Sequence, residues 1–324
     1  MTDTPVVVGL THHLPSTIEA ELAARYDVRL PAKDGPRSTP DIRALLATTD
    51  VLVCTVADPI GPEQIPDQPR TRLIANYGVG VNHIDLDAAR ARGITVTNTP
   101  GVLTDATAEL AVTLMLMVAR RTGEGERQLR AGDWGGWEPT HLPGMALTGR
   151  TLGIVGMGRI GSETARRAAC GLGMSIRYYS RSDVPPERLA GFEATRSMDL
   201  DDLVRGVDVL SLHCPLTPET YHLMDARRLG LMQSHALLIN TSRGAVVDEA
   251  ELASALARGQ LAGCGLDVYE HEPEVHPALL QSERAVLLPH MGSATVEARN
   301  AMGRLVIENI AAWRRGERPP NTVN

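Results

Sequence analysis

The stretch TLGIVGMGRIGSETARRAACGLG, residues 151–173, decides the fold. A short apolar run ends at Val155. Gly156, Gly158 and Gly161 follow in G-x-G-x-x-G spacing, and a helical segment opens directly after them. Binding a dinucleotide needs this order. The first glycine permits a tight turn, the second lets backbone approach a pyrophosphate, and the third allows close helix–strand contact. The helix amino terminus then presents unpaired N–H groups to the phosphates. Arg159 and Ile160 lie between the last two glycines and belong to the same loop. With 30 glycines in 324 residues the spacing alone is weak. The strand before it and the helix after it make it specific.

Outward from this loop the chain alternates short apolar runs with helical segments. Before it come VVVGL (6–10), a helical stretch over 15–26, DVRL (27–30), a second over 42–48, VLVCTV (51–56), RLIANYGVG (72–80) and ITVTN (94–98). After it come SIRYY (175–179), VDVLSLH (207–213), ALLIN (236–240), GCGLDV (263–268) and AVLLP (285–289). Such alternation predicts parallel, doubly wound sheets. Two series predict an α/β protein of two doubly wound parallel-sheet domains. A final helical segment, 295–315, follows the last strand and is placed to return to the first domain. Residues 123–149 differ: they are rich in Gly, Trp and Pro with little periodicity, and read as an irregular arm.

Composition removes several kinds of chemistry. Of 32 basic residues besides histidine, 31 are Arg and one is Lys33, in the turn-like PAKDGP. A Schiff-base or P-loop lysine would have to be Lys33, which has no G-x-x-x-x-G-K before it. A net charge of −7 sets up no field attracting nucleic acid or anionic membrane. Cys54, Cys170, Cys214 and Cys264 are scattered without C-x-x-C spacing, which reads as reduced thiols in a cytoplasmic protein. The amino terminus has no basic stretch before its apolar run, so no secretory signal is expected. The longest apolar run, Leu110–Ala119, is roughly half of the ~20 residues a bilayer span needs and reads as a buried helix. His12/His13 and His271/His276 lack partners at zinc-like spacing, and no metal site is expected. Ser242 lacks the G-x-S-x-G setting of a nucleophile.

The strand after the glycine loop ends in SIRYYSRSD. An NAD-binding unit normally places Asp or Glu there to accept from the ribose hydroxyls. Here stand Ser180, Arg181 and Ser182, and a guanidinium suits a 2′-phosphate. NADP(H) is therefore expected over NAD(H). The competing reading leaves Arg181 to solvent and gives the ribose to Asp183.

Further segments line up with one family. They are NYGVGVNHID (76–85), NTPGVLTDATAEL (98–110), HCPLT (213–217), INTSRGAVVDE (239–249), GLDVYEHEP (265–273) and LLPHMGSAT (287–295). Together they resemble the D-isomer-specific 2-hydroxyacid dehydrogenases, over nearly all the chain from about residue 51 onward. The resemblance implies a homodimer whose Rossmann dinucleotide-binding domain is inserted into a flavodoxin-like substrate domain. On that pattern residues 1–98 and 290–324 form the substrate domain. Residues 99–289 form the dinucleotide domain, with 123–149 as a dimerisation arm. Within the family the chain most resembles glyoxylate/hydroxypyruvate reductases, implying a small 2-keto or 2-hydroxy acid as substrate. A reductase of larger 2-keto acids is the alternative enzyme. A dinucleotide-responsive protein of the corepressor type is the alternative of another class.

Reducing a 2-keto acid needs a hydride donor, a cation for the carboxylate and ketone, and a proton donor for the developing alkoxide. Arg243 in TSRG supplies a fork for the first of the protein's tasks. His290 in LPHMG supplies the proton. Glu272, directly before Pro273, would hold the imidazole in one tautomer and favour the imidazolium. The family gives these roles to the Arg, Glu and His of the matching motifs. It also implies that Thr104, His213, Cys214, Pro215, Thr217, Thr241, Asp267 and Gly292 lie beside the cofactor, with Asp267 accepting from its carboxamide. Val56, Ala57, Tyr77, Gly78, Val79 and Gly80 would line the substrate site, with backbone N–H groups near Val79 and Gly80 taking the carboxylate. Trp137, or else Trp134, would reach the partner's active site. The bland alternatives are a plain β-turn at NYGVG and an interface anchor at the tryptophans.

Overall fold

The computed structural model of the chain describes residues 5–32, 35 and 37–324. Met1 to Thr4, Lys33, Asp34 and Pro36 lie outside the described residues. The chain forms two compact units, residues 1–103 with 294–324 and residues 104–293. It changes unit a few residues later than the breaks at 98/99 and 289/290 read from the sequence.

The first unit is built on a five-stranded sheet. Its strands are β1 (Val7–Leu10), β2 (Asp27–Arg29), β3 (Val51–Cys54), β4 (Leu73–Asn76) and β5 (Thr95–Thr97), in the order β2-β1-β3-β4-β5. Every pairing is parallel. That is the flavodoxin-like winding. β1, β3 and β4 are buried at every position, because helices cover both faces of such a sheet. The helix Thr39–Thr48 starts from a capping box between Ser38 and Asp41, with a proline in its first turn. The helix Val296–Arg314 belongs to this unit and packs against β4 and the helix Ser16–Ala23. Beyond it the tail seals the sheet edge: Val323 N donates to Val96 O at 2.9 Å, and Val96 N donates to Asn324 Oδ1 at 2.8 Å.

The second unit has seven parallel strands: β6 (Thr151–Val155), β7 (Ser175–Tyr179), β8 (Ala194–Arg196), β9 (Val209–Leu212), β10 (Leu237–Asn240), β11 (Gly263–Leu266) and β12 (Ala285–Leu287). Their order is β12-β11-β10-β9-β6-β7-β8. From β6 the chain winds to β7 on one side and later returns to β9 on the other. The carboxyl ends of β6 and β9 therefore flank the switch point where open α/β sheets bind ligands. The buried helix read at 110–119 extends over Thr104–Ala119 and lies against β10, β11 and the helix Arg159–Leu172. One face remains outward, with Leu116 exposed.

Two sequence expectations change. The arm is not irregular throughout, since Thr122–Ala131 is a helix closed by Gly132 in the left-handed region. Gly123 and Gly125 mask its propensity, while ion pairs Arg121–Glu124 and Arg130–Glu126 support it. β8 was not foreseen: three residues, ATR, at a sheet edge carry too little apolar pattern. Among the described residues no helix is long and apolar enough to cross a membrane.

Candidate active site

The glycine loop leaves β6 and enters the helix Arg159–Leu172, whose N-cap is Gly158. Gly156 has φ +94°, and a Cβ there would lie 2.8 Å from Cys214 N and from the His213 carbonyl carbon. A Cβ on Gly161 would lie 2.2 Å from Gly156 O. Both positions admit glycine only. A cavity of about 730 Å³ opens beside the loop, lined by Gly156, Gly158, Ser180, Arg181, Ser182, His213, Cys214 and Pro215 among the expected residues. Close by, the buried polar atoms His213 Nδ1 and Thr241 Oγ1 have no hydrogen-bond partner in the protein. Glycine cradle, helix terminus, cavity and orphaned polar atoms together fit a dinucleotide.

Burial alone drives His213 down to about 4, so the ring is neutral, its Nε2 paired 2.8 Å from Ser211 Oγ. Arg181 Nη1 stands 3.9 Å from Glu219 Oε2, and that carboxylate also accepts from Thr217 Oγ1 at 2.7 Å. Arg196, on the unforeseen β8, donates to Asp183 Oδ1 at 2.6 Å and to Ser180 O at 3.0 Å. Arg188 and Met198 also line the cavity and escaped the sequence reading. Both lie beyond the fingerprint, in stretches without a pattern. Arg159 and Ile160 open the helix beside the loop; Ile160 is half-buried and Arg159 is exposed.

The three proposed catalytic residues are carried by loops after β10, β11 and β12. Glu272 Oε2 lies 2.7 Å from His290 Nδ1, and Glu272 Oε1 accepts from Tyr269 N at 3.0 Å. Burial pushes the Glu272 carboxyl up. The bond and charge of His290, the Tyr269 N–H and the Arg243 charge outweigh it, so the group stays below its ordinary range. Glu272 is thus an ionised acceptor, Nδ1–H donates to it, and Nε2 of His290 is left for a ligand. Burial weakens the hold of Arg243 on its proton and the Glu272 charge restores part of it. Arg243 Nη1 donates to Ser242 O at 2.7 Å, and Asn240 Nδ2 anchors the Arg243 carbonyl at 2.9 Å. His290 itself sits at φ +54°, a conformation that costs energy outside glycine and recurs at functional sites.

Asp267 holds the loop that carries His290. Its two oxygens accept from Met291 N at 2.6 Å and Gly292 N at 2.7 Å. The Gly292 carbonyl in turn accepts from Thr107 Oγ1 at 2.9 Å, one turn into the helix that Thr104 opens. Burial raises Asp267 above the usual carboxylate value, against the pull of those amides. The sequence reading missed this anchoring task, because the amides it serves are 24 and 25 residues away.

In the first unit, Val56 and Ala57 follow β3, and the turn 77–80 follows β4. Val56 Cγ1 lies 3.2 Å from the position a Gly78 Cβ would take, so the two loops meet. The turn is held from inside. Asn76 Nδ2 donates to Gly78 O (3.1 Å) and Gly80 O (3.0 Å), and Asn98 Nδ2 to Val79 O (2.8 Å). Three successive carbonyls of the turn are thus taken up by two asparagine side chains. Asn76 is a further residue the sequence reading missed. Tyr77 is buried, its hydroxyl donates to Arg299 O at 2.6 Å and its backbone N–H to Cys54 O at 2.8 Å. Trp134 and Trp137 are 51% and 82% exposed in the arm. Among the described residues no group of three His, Cys, Asp or Glu side chains is placed to hold a metal ion.

A glycine cradle at the switch point of a parallel sheet, with an ionised Glu bonded to a His nearby, defines a dinucleotide-dependent oxidoreductase. Comparison with known proteins narrows the class. Residues 112–292 match the D-isomer specific 2-hydroxyacid dehydrogenase, NAD binding domain family. The chain belongs to this family, and its cofactor is a nicotinamide dinucleotide. Glyoxylate reductase of Thermococcus litoralis is 45% identical over 324 residues, covering 98% of this chain and 96% of that one. Glyoxylate reductase of Pyrococcus horikoshii is 46% identical over 326 residues, covering 98% and 95%. Among solved structures, an NADPH-dependent glyoxylate/hydroxypyruvate reductase from Sinorhizobium meliloti, in complex with NADP and malonate, superposes with a TM-score of 0.85. It is 33% identical, with 99% of this chain and 97% of that one covered. The TT0316 protein of Thermus thermophilus superposes with a TM-score of 0.88 at 41% identity, covering 98% and 100%.

Proposed function

We propose that the protein reduces glyoxylate or hydroxypyruvate to glycolate or D-glycerate, with NADPH preferred over NADH. The 2.7 Å pairing of Glu272 with His290, facing the ionised Arg243 guanidinium, carries this reading. The bound nicotinamide supplies the hydride to the keto carbon. His290 Nε2 delivers a proton to the keto oxygen as charge develops there, and the Glu272 carboxylate holds the ring in place through Nδ1. Arg243 draws electron density from the ketone and binds the carboxylate. The sum is one hydride and one proton added across the C=O bond.

The cofactor preference rests on the end of β7. With Asp183 paired to Arg196, Arg181, in the cavity lining and 3.9 Å from Glu219, is the guanidinium that suits a 2′-phosphate. The relatives named glyoxylate reductase support the substrate. The exposed Trp134, Trp137 and Leu129 of the arm fit coverage by a second copy of the chain, hence a homodimer in which Trp137 reaches the partner's site. All four cysteines are free, in keeping with a cytoplasmic protein.

Initial rates with NADPH and NADH against glyoxylate, hydroxypyruvate and phenylpyruvate test the proposal. Turnover of the two small acids with NADPH is expected. Faster turnover of phenylpyruvate would move the substrate to larger keto acids. No turnover with any keto acid would sink the enzyme reading in favour of a dinucleotide-responsive binder. His290→Ala is expected to lower kcat by roughly 10²–10⁴.

A further inference from the structure

Among the described residues, four other than glycine have positive φ, and two of them are histidines: His290 and His222. His222, at φ +47°, lies outside every motif that pointed to the active site. Its surroundings explain why the backbone is held there. His222 N donates to Ala245 O at 2.8 Å and Met224 N to Val246 O at 3.0 Å. The segment 222–224 therefore lies alongside the segment that begins with Arg243. The ring reaches a different loop. His222 Nε2 is 2.7 Å from Glu270 Oε1, and Nδ1 is 3.4 Å from Asp248 Oδ2. Tyr221 stacks on the ring at 4.1 Å, and its hydroxyl donates to the same Glu270 oxygen at 3.3 Å.

Glu270 is two residues before Glu272. Its own backbone N–H is taken by the buried Glu249, which also accepts from His276 N at 3.3 Å, at the far end of the same loop. Across from it, Gly244 packs so tightly that a Cβ would lie 1.8 Å from the Tyr269 carbonyl carbon. The Arg243 loop and the Glu272 loop thus touch backbone to backbone, and one side chain grips both.

We propose that His222 is a positioning residue: it ties the loop that carries Arg243 to the loop that carries Glu272, holding the cationic fork and the acid–base pair in register. The proposal rests on the catalytic assignment above. Its cause is geometric. Two loops after neighbouring strands share no ladder of their own, and small displacements at a reacting centre cost rate steeply.

The test separates the imidazole from the fold. His222→Gly removes the ring and also the backbone strain, since glycine accepts φ near +47° freely. The variant is expected to melt close to wild type, with kcat on glyoxylate and NADPH lowered about 10- to 10²-fold and KM for NADPH unchanged. The coenzyme cradle stands on other elements. His222→Gln, whose amide donates toward Glu270, is expected to recover part of the loss. Glu270→Ala should match His222→Gly, and the double variant should be no worse than either. A wild-type kcat in His222→Gly, a loss confined to the melting temperature, or additive losses in the double variant would each overturn the bridge. If His290→Ala is nearly inactive while His222→Gly is not, only the positioning claim fails. If His290→Ala turns over normally, the catalytic assignment fails and takes the positioning claim with it.

Discussion

Arginine outnumbers lysine 31 to one, so residue type alone says little about which arginine matters. Place decides. Arg243 is set by Asn240 and faces the Glu272 charge; Arg181 stands at the cavity; Arg196 is spent on Asp183. Arg243→Lys keeps a charge but loses the fork, and kcat/KM for glyoxylate is expected to fall about 10²-fold or more. A value within twofold of wild type would remove the bidentate role. Arg181→Ala is expected to raise KM for NADPH about tenfold while sparing NADH, as loss of a charged hydrogen bond to the 2′-phosphate requires. Equal changes with both cofactors would return Arg181 to solvent. Arg243, Glu272 and His290 were legible because each stands in its own short motif. His222 and Arg196 were not, because their meaning lies in partners on other segments, Glu270 and Asp183.

The elements were read best where strands are buried on both faces. Runs such as VLVC and LLIN are apolar at every position, and they became β3 and β10. The short edge strand β8 and the glycine-bearing helix Thr122–Ala131 were not read, because neither buries enough apolar surface to mark its period. Two tests belong at this scale. Gly156→Ala forces a side chain onto φ +94° and against Cys214 N, and NADPH affinity measured by fluorescence titration is expected to weaken tenfold or more, from about 1–3 kcal/mol of strain. Unchanged affinity would show that the turn relaxes. Ser38→Ala removes half of a capping box, and urea unfolding is expected to show a loss of about 1 kcal/mol in the first unit with glyoxylate turnover intact.

At the scale of the whole molecule, stability should depend on pH through groups that ionise differently once folded. Burial holds His213 down to about 4, against an ordinary value of 6.5. The unfolded chain binds that proton first, so this contribution is complete above about pH 6.5 and is lost as pH falls toward 4. Asp58 is buried, which raises it, but His12, Thr11 and Thr55 lower it further, so its net position is below the ordinary carboxylate. Asp208 follows the same balance through Thr151, His235 and Arg150. Their contributions are present above about pH 4 and vanish below it. Denaturation midpoints are therefore expected to decline in two stages on acidification, and His213→Gln should flatten the upper stage alone. A single decline below pH 4 in the parent protein would show that His213 is reached by water. The sequence by itself determined two wound sheets and a dinucleotide loop, and put forward three side chains for the chemistry, because periodicity, glycine spacing and motif order are local properties of the chain. Only the tertiary structure decided which carboxylate pairs with which histidine, which arginine neutralises Asp183, and that His222 grips two loops at once. Those are contacts between residues 13, 18 and 48 positions apart, fixed by strand order and packing rather than by any local motif.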